Sequence, residues 1–266
     1  MSASFSADAH PALTTRLGNG ELELTGRLMQ ASNATFLASW KGTGTVVDCV
    51  YKPIRGERPL WDFPTSTLAL REVAAYEVSR IGGFDVVPVT VLVEGPIGPG
   101  SLQVWVDTEP EENELLVDLV PYDQVPEKGW FVCAEGLDAY DHEVCVIHAD
   151  NPELRLLAVF DVLINNADRK GGHILGSAGR VFGVDHGISF HAEPKLRTLL
   201  WGWAGQELTE RELTAVATAR REAPAQLAEL LAEEEIEAFD RRADLLLRRR
   251  KLPTPRGGRT IPWPPF

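Results

Sequence analysis

The chain changes hydrophobic rhythm several times, and each change marks an element. Residues 21–40, ELELTGRLMQASNATFLASW, read as two strands around a polar turn at Gln30–Thr35. GTVVDCVYKP (44–53) is apolar and β-branched and stops at Pro53, which predicts a third strand with Lys52 near its end. IRGERPLWDFPTST (54–67) reads as loop. In TLALREVAAYEVSRIGG (67–83) apolar residues fall at helical spacing before a Gly-Gly stop. Residues 84–107 read as two strands around a Gly/Pro turn. The front of the chain is therefore expected to be a mixed sheet with one packed helix.

The acidic stretch TEPEENE (108–114) is expected to be a loop and a hinge between lobes. A helical pattern follows at Glu153–Asn165, apolar at Leu156, Leu157, Phe160, Leu163 and Ile164. Residues 173–191 look like a hairpin. From Gln206 to Lys251 the pattern is helical and charged, with Pro224 separating two helices. The expected fold class is α+β with two lobes. A loose segment spans 1–18, a small β-rich N-lobe 19–108, a larger helical C-lobe 109–252 and a Pro-rich tail 253–266.

Composition narrows this picture. The chain has 266 residues, 44% hydrophobic and 24% charged, an ordinary globular balance that can bury a substantial core. A net charge of −13 argues against a general nucleic-acid binder. The three cysteines, Cys49, Cys133 and Cys145, are too few and too far apart for a disulfide framework or a zinc knuckle. Free thiols in a reducing compartment are expected. The first residues, MSASFSADAHPAL, carry no secretory signal, and no apolar run is long enough for a transmembrane helix. The expectation is a cytoplasmic protein without stable membrane insertion.

The chemistry gathers in four residues. Phosphoryl transfer from ATP needs a Lys on the phosphates, carboxylates for Mg²⁺, and a group that receives the acceptor's proton. A strand-end Lys, an acid on the next helix, a loop Asp and a later Asp form that set. Lys52, Glu72, Asp168 and Asp185 occur in this order. Glu77, five residues after Glu72, points to another side of the helix and is the poorer partner for Lys52.

Three stretches resemble the phosphatidylinositol 3-/4-kinase-like and HipA-type kinases, in particular a small actinobacterial branch. REVAAYEVSRIGGFDVVPVTVL looks like the helix and strand that follow the strand Lys in those kinases. NNADRKGGHIL looks like their catalytic loop, and GVDHGISF like their metal-binding segment. The resemblance covers roughly residues 24–191 and implies a kinase-like fold, ATP with Mg²⁺ as cofactors, and a hydroxyl acceptor. It assigns Lys52 to the ATP phosphates, Glu72 to Lys52, Asp168 to catalysis and Asp185 to the metal. Ser32, Asn33 and Ala34 would cover the phosphates through backbone N–H groups. The family pattern has Asn five residues after the catalytic Asp, where this chain has His173. Oxygen donors suit Mg²⁺ better than imidazole does. His173 therefore leaves three outcomes open: Mn²⁺ in place of Mg²⁺, weak metal binding or none, with nearby Asn165 and Asn166 able to supply an amide; the alternatives to a kinase are a nucleotide-binding pseudokinase and a regulatory interaction protein with little turnover. The acceptor is equally open between an inositol-type lipid, a small polyol and a protein.

Other signals weigh less. His173, Asp185, His186 and His191 lack zinc-ligand spacing, and the adjacent Asp185 and His186 would point to opposite faces of a strand. No G-x-S-x-G elbow is present. Trp201 and Trp203 are expected to pack in the helical lobe. RRADLLLRRRK (241–251) reads as the solvated face of a last helix, with an anionic head group as the alternative. IPWPPF (261–266) is either a docking peptide for a protein partner or a segment lying over its own domain with Trp263 and Phe266 buried; packing is favoured.

Overall fold

The computed structural model describes residues 20–28, 33–42, 45–58, 60, 63, 67–255 and 257–266. It is a mixed α+β fold with a β-rich front and a helix-bearing back. The front sheet has five antiparallel strands: β1 (Glu21–Arg27), β2 (Phe36–Gly42), β3 (Thr45–Pro53), β4 (Thr90–Gly95) and β5 (Gly98–Val104). Their spatial order is β1-β2-β3-β5-β4, so β3 is central. Along β3 the strand period of two buries Cys49 and Tyr51 and turns Lys52 to the other face. Lys52 sits opposite Ser101 of β5.

Helix α1 (Leu68–Gly82) lies between β3 and β4 in the chain and ends at Gly83, whose φ of 71° is the left-handed cap that glycine adopts without strain. Its neighbours Arg71 and Glu72 both reach the back half. Arg71 donates to Ser189 O at 2.6 Å and pairs with Glu235 at 2.5 Å.

The back half holds α3 (Pro152–Ile164), preceded in the chain by the short α2 (Pro110–Glu114). Asn151 caps α3 by accepting from the N–H groups of Glu153 and Leu154, and Pro152 takes the first helical position. Leu154, Leu156, Leu157, Val159, Phe160, Leu163 and Ile164 are all buried, so α3 is the spine of the core. A hairpin, β9 (Ile174–Ser177) and β10 (Arg180–Gly183), follows within the expected span. Three helices close the fold: α4 (Glu210–Glu222), α5 (Pro224–Leu227) and α6 (Glu233–Arg249). Thr209 and Glu212 form a reciprocal capping box on α4. Trp203 is buried, as expected.

Four expectations need correction. Residues 108–114 are not simply loop: α2 (Pro110–Glu114) forms there, and Asn113 Oδ1 accepts from the Gly176 N–H at 2.7 Å. The region 115–149 holds no α-helix, only a short 3-10 turn at Tyr122–Gln124. It forms a second antiparallel sheet, β6 (Val117–Pro121), β7 (Trp130–Leu137) and β8 (Glu143–Ala149), ordered β6-β8-β7. The 241–251 run is not wholly a solvated face, because Arg242 turns inward and donates to Leu163 O at 2.9 Å and His191 O at 3.3 Å. Residues 260–266 do lie over their own domain, but Trp263 is 74% exposed and Phe266 48% exposed, so neither ring is buried. Among the described residues, no helix is long and apolar enough to cross a membrane.

Candidate active site

Lys52, Glu72 and Asp185 meet. The Lys52 ammonium lies 2.5 Å from Glu72 Oε1 and 2.9 Å from Asp185 Oδ1. β3 supplies the Lys, α1 the Glu and the segment after β10 the Asp. Glu72 is also fixed from its other oxygen, which accepts the His186 N–H at 3.0 Å. Its carboxylate is buried, whereas that of Asp185 is 51% exposed. Asp185 adopts a left-handed backbone with φ 59°, a conformation Asp tolerates better than most residues. Adjacent His186 is wholly buried, so the two side chains part as expected.

Electrostatics follow the geometry. Burial pulls the Lys52 pKa down, but the charges of Asp185 and Glu72 overcome it, and the net shift is upward. The Lys52 charge holds the Asp185 carboxyl well below the usual carboxylate range against the opposing effect of burial. Lys52 and Asp185 are therefore both charged across the neutral range, with the Asp185 carboxylate open to solvent.

Asp168 joins this cluster through His173. The His173 ring bonds Asp168 O through Nδ1 at 2.9 Å, and its Nε2 stands 3.4 Å from Asp185 Oδ2. Burial lowers the His173 pKa, so the ring is favoured neutral. Asp168 is held by Asn166 Oδ1, which accepts its N–H at 2.9 Å. Its own carboxyl is raised by burial, with Lys170 opposing. Lys170 Nζ lies 3.2 Å from Asp168 Oδ2 and was missed in the sequence. Its position two residues after Asp168 was the available signal.

Beneath these groups lies a second cluster that sequence reasoning also missed. Arg169 and Asp161 are both fully buried and form an ion pair at 2.9 Å. Arg169 also donates to His173 O at 3.1 Å, Val184 O at 2.8 Å and His186 Nε2 at 2.6 Å. One guanidinium thereby ties the Asp168 loop to the Asp185 segment. Because arginine only donates, His186 Nε2 accepts and its proton sits on Nδ1.

Asn33 does not join the cluster through its hydrogen bonds. Its side chain accepts from the Arg58 N–H at 2.9 Å, and the Ala34 N–H donates to Gly56 O at 3.1 Å, so that N–H is engaged within the protein. Ser32 lies outside the described residues.

The arrangement presents an ammonium beside an exposed carboxylate, with a second carboxylate and lysine close by. Such a site can bind phosphate oxygens and take a divalent cation. Among the described residues, no group of three or more His, Cys, Asp and Glu side chains forms a cage for a metal ion. Asp185 and His173 would supply two ligands and leave the rest to phosphates and water. The Asp185 carboxylate suits Mg²⁺, which is usually bound by one or two carboxylates plus substrate phosphates; the His173 imidazole suits it less.

No family model matches the chain. Protein Rv2133c of Mycobacterium tuberculosis is 49% identical over 262 residues, covering 94% of each chain. Among solved structures, the crystal structure of a Helicobacter pylori proinflammatory kinase, CtkA, is similar over 88% of this chain and 94% of that one. The TM-score is 0.47 and the identity 11%.

Proposed function

The chain belongs to the same family as Protein Rv2133c, and from the site above we propose that it is an ATP- and divalent-metal-dependent kinase acting on a hydroxyl acceptor. The observation that carries this reading is the Lys52 ammonium held between Glu72 and Asp185, residues 20 and 133 positions away in sequence. A strand lysine buttressed by a helix glutamate and facing an exposed aspartate is what triphosphate binding requires.

Lys52 binds α/β-phosphate oxygens, and Glu72 holds its ammonium in place. Asp185 and His173 would hold the metal, which would supply positive charge to the phosphates. Asp168 orients the acceptor hydroxyl and takes its proton. Its upward-shifted pKa makes it a better base than an ordinary Asp. Lys170, beside Asp168, offsets charge on the transferring group. Ser32 and Asn33 are kept as phosphate-covering residues on their place in the sequence alone, two strands before Lys52. The acceptor is a small polyol, an inositol-type lipid or a protein.

A second reading rests on His173: its ring is already engaged by Asp168 and Asp185 and favoured neutral. It is a nucleotide-binding pseudokinase. One experiment separates the readings. ATP turnover and ATP-dependent melting shifts are measured in Mg²⁺ and in Mn²⁺ for wild type, Lys52→Met and Asp168→Asn. The kinase reading expects Lys52→Met to lose the melting shift, and Asp168→Asn to keep it while turnover falls on the order of a hundredfold or more. A wild-type melting shift without turnover in either metal selects the pseudokinase. No shift at all removes both readings.

A further inference from the structure

The segment 260–266 is docked against the loop that carries Asp168. We propose that it is an in-cis strap that positions this loop, with Pro265 and Phe266 as positioning residues. The functional part of this inference rests on the kinase reading; the structural part does not.

Two anchors hold the strap. At its start, Thr260 O accepts from the Thr198 N–H at 3.1 Å and from Trp201 Nε1 at 3.0 Å. Thr198 bridges in parallel to Arg169, whose N–H donates to Arg197 O at 3.0 Å and whose carbonyl accepts from the Leu199 N–H at 3.2 Å. The strap is thus laid on a segment that is itself laid on the loop. At its far end, Pro265 O accepts the Gly171 N–H directly at 2.8 Å. The Phe266 ring packs so closely on Gly171 that a Cβ added there would lie 2.2 Å from Cε1. Glycine is required at 171 for this approach.

Gly171 lies between the two ends of the functional loop. Asp168 is three residues before it and His173 two residues after it. Inside the loop, the Lys170 N–H donates to Asp168 O at 2.9 Å and the His173 N–H to Lys170 O at 3.2 Å. These are tight turns that a shift at Gly171 would disturb at both ends. The strap is stiff: Pro262, Pro264 and Pro265 fix their own φ angles, which lowers the entropy lost on docking. Arg259 braces it further by donating to Trp263 O at 3.0 Å.

The test uses the full chain, a deletion of residues 263–266, Gly171→Ala, both changes together, and Phe266→Ala and Phe266→Tyr. Two quantities are read: hydrogen exchange of the Gly171 amide, and steady-state ATP turnover. Exchange at Gly171 is expected to accelerate at least about tenfold on deletion, since its acceptor is gone. In an active enzyme kcat should fall on the order of tenfold while KM for ATP stays within about twofold, because Lys52 is untouched. Gly171→Ala evicts the Phe266 ring and should reproduce the deletion, and the two together should be no worse than either alone. Phe266→Tyr should rescue what Phe266→Ala loses. Unchanged exchange on deletion, unchanged kcat in an active wild type, or additive losses would each overturn the strap. If the deletion does not fold, Phe266→Ala decides by the same readouts. If wild type turns over no ATP, the kinase reading fails and Gly171 exchange alone decides the strap.

Discussion

Asp161 and Asp185 each hold a cation, and the molecule treats them in opposite ways. Asp161 and its partner Arg169 are both fully buried. The carboxylate receives three N–H bonds from Arg169 and one from Asn166 Nδ2, so both of its oxygens are occupied. Asp185 pairs with Lys52 at the same distance, 2.9 Å, yet leaves half its surface open. A buried ion pair contributes little net stability when intact but is costly to break, whereas an open pair is screened and replaceable. The two are joined through the chain between them, since Arg169 donates to Val184 O, the residue before Asp185. The closed pair fixes where the open one stands, and the open one is left free to exchange partners.

The sharpest way to break this contrast is to remove one half of the closed pair. Asp161→Asn leaves the Arg169 guanidinium buried without a counter-charge and is expected to cost about 3–5 kcal/mol in urea unfolding. A loss below about 1 kcal/mol would mean that the pair is no brace, because solvent must then reach it on the native fold. Pressing on the brace from outside is the next largest effect. A Cβ on Gly183 would lie 2.8 Å from both Arg169 Nη2 and Leu157 Cδ1, atoms that buried packing holds in place. Gly183→Ala is expected to destabilise by about 1–3 kcal/mol, again read by urea unfolding.

The open cluster was legible in the sequence and the closed one was not, for a physical reason. Lys52, Glu72 and Asp185 follow three recognisable elements in a fixed order, and their convergence follows once those elements pack. Asp161 and Arg169 lie eight residues apart, one in an apolar helix and one in a polar turn, and no periodicity marks two buried charges as partners. In the sequence Asp161 looks like a polar interruption of α3, and Arg169 like turn chemistry. The 117–149 sheet was missed for a related reason. β7 carries an irregularity between Val132 and Ala134 that breaks the strand period of two, and residues 145–148 of β8 are a short buried run that periodicity cannot assign. Docking of residues 260–266 depends on carbonyls meeting N–H groups far away in sequence, which side-chain pattern does not encode.

Acid sharpens the comparison further, because one buried imidazole, His186, touches the brace and another, His148, stands apart from it. His148 and His186 are both held neutral by burial, with pKa values below the usual 6.5. Each binds fewer protons folded than unfolded below pH 6.5, so its stabilisation is complete above that value and is lost as pH falls through the folded value. The slope is about 1.4 kcal/mol per pH unit for each such group. Asp168, with a raised pKa, acts in the opposite sense but only at lower pH, nearer the carboxylate range. His148 lies apart from the charge clusters; it accepts from the Gly202 N–H at 3.0 Å and bonds Ala149 O at 3.0 Å. His148→Gln should make the loss of stability below pH 6.5 less steep in unfolding measured at several pH values. An unchanged slope would mean that His148 titrates normally in the native protein.

The smallest stability effect belongs to the open carboxylate, and it completes the contrast because the chemical change is the same as at Asp161. Asp185→Asn removes one charge and keeps the shape. Lys52 retains Glu72 at 2.5 Å, so no buried cation is stranded. Water already reaches half of the Asp185 side chain and screens the lost attraction. The left-handed backbone at this position suits Asn as well as Asp. The expected cost is therefore below about 1 kcal/mol in urea unfolding. If the proposed nucleotide site is right, removing its carboxylate should nevertheless reduce the ATP-dependent melting shift in Mg²⁺, which Asp161→Asn, measured where it is still folded, should largely keep. A large stability loss at Asp185 would place it in the brace rather than the site, and the separation between a holding carboxylate and a working one would fail.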